Sequence, residues 1–401
     1  MNRLAALATS ALAVPYSRIR ELGELAMKMD SSTTDPDDKV LRLYFGESNI
    51  PTPEFIKRAA QKAMADGFTF YTENAGMPST RAALARYYAE IQGVTLDPAS
   101  QIVVTTSGVQ ALNVALRCVL NPGDEAIVLT PAWPNGSAII AMANATVRQI
   151  AQPLEGDRYG IDFDAVEAAI NERTRLILYT SPSNPLGWVA TGADQDRLLE
   201  ICRRHNLWLM ADEVYERLYY GGKPGEPVPT ILKKGTPEDA VIVVQSFSKT
   251  WCMTGWRVGW LVSRPDLCEK AAQLNEFIVS HAPSFSQRAA ETALLWGEPS
   301  LREMLARLKE NRDFCMAFLS KIPGMKVPKP EGAFYLFPKL EGLTDSFDFC
   351  KRLLIETKVG LAPGVAFGAG GEGSLRICYA AERPILEKAM VRFSQFLAQQ
   401  R

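Results

Sequence analysis

From residue 101 onward the apolar positions follow two alternating rhythms. Short, nearly continuous runs (QIVVTTS, AIVLTP, TVRQIAQ, LILYTS at 176–181, LWLMAD at 207–212, VIVVQS at 241–246 and GWLVS at 259–263) are separated by stretches of helical period such as GVQALNVALRCVL and 194–205. Strands apolar on both faces, alternating with helices, predict an α/β fold with a mostly parallel, doubly covered sheet. A ligand site is expected at the carboxyl ends of such strands. Beyond GWLVS, helical sequence over 265–320 gives way to strand-like MKVPK, GAFYLFP and SLRICYA, with helices expected over 346–357 and 384–398, which predicts a smaller α+β domain. SRIRELGELAMKM has helical period and reads as an arm packing onto the body. The expected division is 1–45 as N-terminal arm and part of the small domain, 46–300 as large domain and 301–401 as small C-terminal domain. GGKPGEPVP at 221–229 is expected to be a surface loop.

Composition narrows the class. Lysine plus arginine (44) nearly cancels aspartate plus glutamate (45), so no global field recruits nucleic acid or an anionic membrane, and any anion site must be local. The 7 cysteines are spaced singly, without a C-x-x-C pair, which favours reduced thiols and a cytoplasmic setting. The 2 histidines, His205 and His281, have no metal-ligand spacing, so no metal is expected, and a Ser-His-Asp hydrolase would lack its G-x-S-x-G elbow. The opening MNRLAALATSALAVP is not read as a signal segment, because Thr9 and Ser10 interrupt the run and Arg3 is its single basic residue. No segment reaches the roughly 18 apolar residues needed to span a bilayer.

The segment SFSKTWCMTGWRVGW (246–260) gathers Ser246, Ser248, Lys249 and Arg257 in and after a turn that follows a strand. Hydroxyls and a guanidinium suit a phosphate, and a partly dehydrated lysine is a nucleophile toward an aldehyde. Asp212 closes an apolar strand, where a buried carboxylate demands a positive partner. A protonated pyridine would supply one; at about 4 Å and an effective dielectric of about 20 the pair gains on the order of 4 kcal/mol before desolvation. Asn184 and Tyr215 fall at strand ends within reach of the same ring's phenolate oxygen. TTSGVQAL places the amides of Ser107, Gly108 and Val109 at a helix start, a phosphate cradle, and PAWPNG puts Trp133 where an indole can stack on a flat ring. Arg376, in a strand, offers the bidentate fork a carboxylate requires.

Together with VPYSRIRELGELA, LYFGESNIPTPEFI and YTENAGMPSTRAAL, these motifs resemble the class I/II aminotransferases, the aspartate aminotransferase superfamily of fold type I pyridoxal-phosphate enzymes, over nearly the whole chain. The resemblance implies ping-pong transfer of an amino group from an L-amino acid, with aspartate or an aromatic or neutral amino acid as donor, to a 2-oxo acid such as 2-oxoglutarate. It implies that Lys249 carries pyridoxal 5'-phosphate as a Schiff base and shuttles the proton, that Asp212 pairs the ring nitrogen, and that Asn184 and Tyr215 bind the ring oxygen. Ser107, Gly108, Val109, Ser246 and Arg257 would hold the phosphate, Trp133 would stack on the ring, and Arg376 would clamp the substrate carboxylate with Gly46 and Asn184. Tyr71 would reach the neighbouring subunit's phosphate, which implies a homodimer.

Two positions depart from relatives of that family. Gly136 stands where animal-type members carry a histidine three residues after the stacking tryptophan, and TTSGVQAL lacks the lysine by which some bacterial members select dicarboxylates. Two other readings share the chain's features: a lyase, racemase or cyclase using the same cofactor, and a non-catalytic ligand sensor, which the absence of an N-terminal helix-turn-helix disfavours. GAGGEG (368–373) fits a dinucleotide fingerprint in letters alone, since it leads into a strand instead of opening a helix, and it is read as a flexible hairpin near the substrate entrance. Ser248-Lys249-Thr250 has no Walker frame around it.

Overall fold

The computed structural model describes residues 7–12, 14–35, 38–223, 225–236 and 238–399. Arg3 and Pro224, on which parts of the opening-segment and surface-loop expectations rest, lie outside the described residues. The core is a seven-stranded sheet built from β1 (Ile102–Thr105), β2 (Glu125–Thr130), β3 (Thr146–Ala151), β4 (Thr174–Thr180), β5 (Trp208–Asp212), β6 (Val241–Ser246) and β7 (Gly259–Ser263). Their order across the sheet is β1-β7-β6-β5-β4-β2-β3, and β7 alone runs against its neighbours. The near-continuous apolar runs follow from burial on both faces. Val104, Ile127, Ile177, Leu209 and Val243 enter one core, whereas Val103, Val128, Leu178, Met210 and Ile242 enter the other. Successive strand residues point to opposite faces, so each inner run must be apolar throughout, whereas the edge strand β3 is largely exposed and carries Arg148 and Gln149.

Six strands point the same way, and their carboxyl ends make one edge. Immediately after β1, helix α1 (Gly108–Val119) opens with Ser107 as N-cap, its hydroxyl accepting from the Gln110 amide. β6 runs into the short turn Phe247–Thr250, capped by Ser246, whose side chain accepts from the Ser248 amide. Helices Pro265–Ile278, Ser284–Trp296 and Glu298–Leu319 account for the long helical sequence that follows β7. Among the described residues no helix is long and apolar enough to cross a membrane.

The C-terminal part carries small sheets, with Leu375–Cys378 between Tyr335–Leu336 and Ala362–Pro363, and helices Ser346–Thr357 and Arg383–Gln399. The N-terminal helix Arg18–Ser31 buries Ile19, Leu22 and Ala26, and Leu41–Arg42 pairs in parallel with Val359–Gly360. Both chain ends are thus tied together by backbone hydrogen bonds. The GAGGEG segment lies in the expected hairpin: Ala362–Pro363 and Leu375–Cys378 pair antiparallel, the connection between them opens with a 3-10 turn at Gly364–Phe367, and the Ala369 amide donates to Gln149 of β3 at 2.8 Å. Pairing with a polar side chain of the main sheet anchors it, so the glycines serve turns with positive φ at 368, 370 and 373.

At one point the sheet and α1 touch backbone to backbone. A Cβ on Gly259 of β7 would fall against the Gly108 nitrogen and within 2.7 Å of the Gln245 carbonyl oxygen. Gly259→Ala is therefore expected to cost about 1–3 kcal/mol in urea denaturation, whereas Gly160→Ala, whose Cβ meets nothing within 4 Å, should stay within about 0.5 kcal/mol. Equal effects at the two sites would contradict the close-approach argument.

Candidate active site

The carboxyl ends of the strands and the loops after them line one cavity of about 460 Å³. Ser107, Gly108 and Val109 follow β1, Trp133 follows β2, Asn184 follows β4, Asp212 ends β5, Ser246 ends β6, and Gly46, Lys249, Arg257 and Arg376 complete the wall. Tyr215 lies in the turn after β5 and joins them. Of the residues singled out from sequence, Tyr71 alone stands apart: it is 87% exposed and meets His281 edge-on at 5.6 Å between ring centroids.

Charge inside this cavity is poorly neutralised by the protein. Asp212 is buried, and its one described hydrogen bond comes from the Val214 amide at 3.4 Å. Burial pushes its carboxyl up from the ordinary 3.8 to about 7, against smaller lowering effects from that amide and from Lys249. Lys249 donates to the Gly46 carbonyl at 2.6 Å, and burial lowers its ammonium from 10.5 to about 8. Arg257, in left-handed conformation at φ 54°, donates to the Thr254 carbonyl, and burial lowers it too.

Arg376 is held as a flat plate. Its guanidinium lies 4.7 Å from the Tyr335 ring centre and 4.9 Å from that of Phe367, donates to Asn184 Oδ1 at 3.0 Å and to the Tyr44 carbonyl, and keeps Nε without a partner among the described residues. Because a guanidinium only donates, Asn184 must turn its oxygen to Arg376 and its Nδ2 toward Tyr215, 3.5 Å from the phenol oxygen.

The sequence model described as "Aminotransferase class I and II" matches residues 39–392. The chain belongs to this family. It is 32% identical over 395 residues to an aspartate aminotransferase of Pyrococcus horikoshii, covering 98% of this chain and 97% of that one. An asparagine–oxo-acid transaminase of Streptococcus mutans is 32% identical, with 89% and 91% covered. Among solved structures, an aspartate aminotransferase of Thermotoga maritima superposes with a TM-score of 0.89 at 31% identity over 98% of this chain and 100% of that one. An aromatic aminotransferase of P. horikoshii gives 0.86 at 29% identity over 95% and 99%. This fold type I aminotransferase uses pyridoxal phosphate to transfer amino groups.

The cavity fits that cofactor on its own terms. A carboxylate driven up to about 7 by burial lacks a cation, which a protonated pyridine ring supplies. The cradle before α1 is tight, since a Cβ on Gly108 would meet Gln245 O and Ser246 Cβ at 3.3 Å; the Ser107 amide donates to the Thr105 carbonyl, and Gly108 and Val109 line the cavity with Ser246, Ser248 and Arg257. Gly136 has a packing cause, because a Cβ there would lie 2.8 Å from Leu178 Cδ2; the space of the expected histidine is taken by an apolar side chain.

Sequence reasoning missed Tyr335 and Arg20, both lining the cavity. Tyr335 is hidden in the aromatic run GAFYLF, whose pattern reads only as core, and Arg20 sits in an amphipathic helix whose charges read only as solvated. Neither carries a local signal, because the topology brings both to the site.

The folded apoprotein holds the Asp212 proton between its ordinary 3.8 and about 7, where the unfolded chain has lost it, so stability falls as pH rises through that window. Asp212→Asn removes this penalty, on the order of 2–4 kcal/mol. The apo variant is expected to melt a few degrees above apo wild type at pH 8, with the gap closing near pH 4, while binding pyridoxal phosphate more weakly. Calorimetry showing no gap at pH 8 would contradict the uncompensated charge.

Proposed function

We propose that this aminotransferase moves the amino group of an L-amino acid to 2-oxoglutarate, with Lys249 as the proton carrier and Arg376 as the receptor of the α-carboxylate in both half-reactions. The observation that carries this reading is the meeting of a buried amine, a buried carboxylate and two guanidiniums on one cavity wall. When bound, pyridoxal phosphate supplies an electron sink for the bond that breaks at the substrate Cα. Asp212 holds the proton on the ring nitrogen by its charge, and Tyr215 and Asn184 donate to the ring oxygen. The amides of Gly108 and Val109, with Ser107, the Ser246 hydroxyl and Arg257, would hold the phosphate, and Trp133, just after β2, would cover the ring face.

Lys249 Nζ accepts the Cα proton and returns it one carbon away. Its lowered affinity for protons, near 8, leaves a usable fraction of free amine at neutral pH. Arg376 fixes the α-carboxylate with Gly46 and Asn184, which orients the Cα–H bond toward the lysine.

We further propose a homodimer working in a reducing, cytoplasmic setting, with the two chain ends (1–45 and 301–401) forming a small unit on the large one (46–300). Exposed Phe70, Tyr71 and Phe277, at 79%, 87% and 85%, support an apolar surface that a second copy covers, and Tyr71 would then reach the partner's phosphate site. The 7 singly spaced cysteines support the reducing setting.

An absorbance titration of the loaded protein with a panel of L-amino acids tests the reaction class. One or more donors are expected to bleach the visible cofactor band with stoichiometric release of oxo acid, and Lys249→Ala should abolish turnover. Band shifts without oxo acid would point to a lyase or racemase instead.

The acceptor follows from the cavity's cations. With Lys249, Arg257 and Arg376 assigned, Arg20 remains at the mouth, its guanidinium 5.6 Å from the Phe45 ring centre and without a carboxylate partner among the described residues. It takes the distal carboxylate that Val109 cannot. Arg20→Ala is expected to raise the KM for 2-oxoglutarate by about tenfold, the loss of one charged hydrogen bond, and to leave that for a monocarboxylic oxo acid unchanged; parallel changes would remove Arg20 from recognition.

A further inference from the structure

Tyr335 is 0% exposed, and its hydroxyl lies 2.8 Å from that of Tyr215, which is 3% exposed. Between two phenols only one proton can occupy the contact, so its direction decides where the other proton points. Three observations fix that direction. Arg376 turns Asn184 so that its Nδ2 faces the Tyr215 oxygen, which therefore accepts from that side. Tyr335 has no other hydrogen-bond partner among the described residues, so the reverse arrangement would leave its own proton without an acceptor there. Burial also holds the Tyr335 phenol well above the ordinary range, so it keeps the proton it donates.

We propose that Tyr335 is a positioning residue, whose hydroxyl donates to Tyr215 and thereby aims the Tyr215 O–H into the cavity at the cofactor's ring oxygen. The inference rests on the reading of Tyr215 as donor to that oxygen. Tyr335 itself is placed from both sides. Its ring lies under the Arg376 guanidinium, and its hydroxyl occupies the space where a side chain at Gly46 would begin. Gly46 is therefore required to be glycine by Tyr335, and the Gly46 carbonyl in turn accepts from Lys249. The cation that meets the substrate carboxylate and the phenol that meets the ring oxygen share Tyr335 as a common neighbour.

The test is a pH titration of the visible absorption of the loaded enzyme for wild type, Tyr335→Phe, Tyr215→Phe and the double variant. Phenylalanine keeps the ring under Arg376, and thermal midpoints check that the fold is intact. A donor to the ring oxygen lowers the pH midpoint of the band, so losing its aim raises it: Tyr335→Phe is expected to shift the midpoint up by about 0.5–1 unit, one ordinary hydrogen bond. In the double variant the Tyr335 change should add almost nothing to the Tyr215 change, because both act through one hydroxyl. An unshifted midpoint in Tyr335→Phe beside a shifted one in Tyr215→Phe overturns the proposal alone. No shift in Tyr215→Phe overturns the reading beneath it as well. Full additivity, or loss of cofactor by Tyr335→Phe but not by Tyr215→Phe, also overturns it, since Tyr335 would then act by another route.

Discussion

A carboxylate at the end of a central strand, cut off from water and left without a cation, is the constraint around which this molecule is organised. Asp212 is buried because β5 lies between β4 and β6, and its backbone continues a run of apolar residues that both cores require. A hydrophobic side chain there would serve stability better. On the proposed reading a positive group arrives from the cavity, and a folding liability becomes affinity for a pyridinium. Lys249 carries the complementary strain: an ammonium whose burial favours the neutral amine is already inclined to give up its proton.

Such groups are held by backbone geometry more than by side-chain packing. Six strands ending on one edge bring residues from 107 to 257 into one cavity, though they are far apart in sequence. The edge works as a site because each strand gives way to a tight turn or a helix start, whose free amides face the same space. Gly259 and Gly108 show how little slack remains, since neither position can take a Cβ without pushing backbone against backbone or against Ser246.

Legibility in the sequence divides along the same line. Strands apolar on both faces, such as VIVVQS and LWLMAD, have one reading in a soluble chain with helices between them, and β5, β6 and β7 lie where those runs predicted. Lys249, Asp212 and Arg257 were visible as a joint pattern: each alone has an ordinary structural use, but together their types and spacing along the chain suit one anionic, ring-shaped ligand. Tyr335 was not, since an aromatic residue in an aromatic run is the expected core, and its role depends on a hydrogen bond to a residue 120 positions away. GAGGEG was legible as a hairpin because its glycines mark turns, but its anchoring to Gln149 was not, since that contact comes from a strand 220 residues distant.

A division between fixed chemistry and variable recognition also fits the observation that relatives named for different amino acids, aspartate, asparagine and aromatic ones, resemble this chain about equally, at 32%, 32% and 29% identity. The groups proposed to act on the Cα and on the cofactor sit mostly at or just after strand ends, where a displacement would disrupt two cores. On the proposed reading, groups that meet the substrate side chain would come from the arm around Arg20, which is exposed, and from position 109 at the helix start, where Val109 also packs in part against one core. Donor preference can therefore change while the sheet edge stays as it is. Among the described residues of the cavity wall, Arg20 of the arm is the cation that the proposed mechanism leaves uncommitted, and position 109 carries a valine. If Arg20 reads a distal charge as proposed, recognition depends on how the N-terminal helix packs: Ile19 and Leu22, buried on either side of Arg20, fix the helix by burying their own apolar surface.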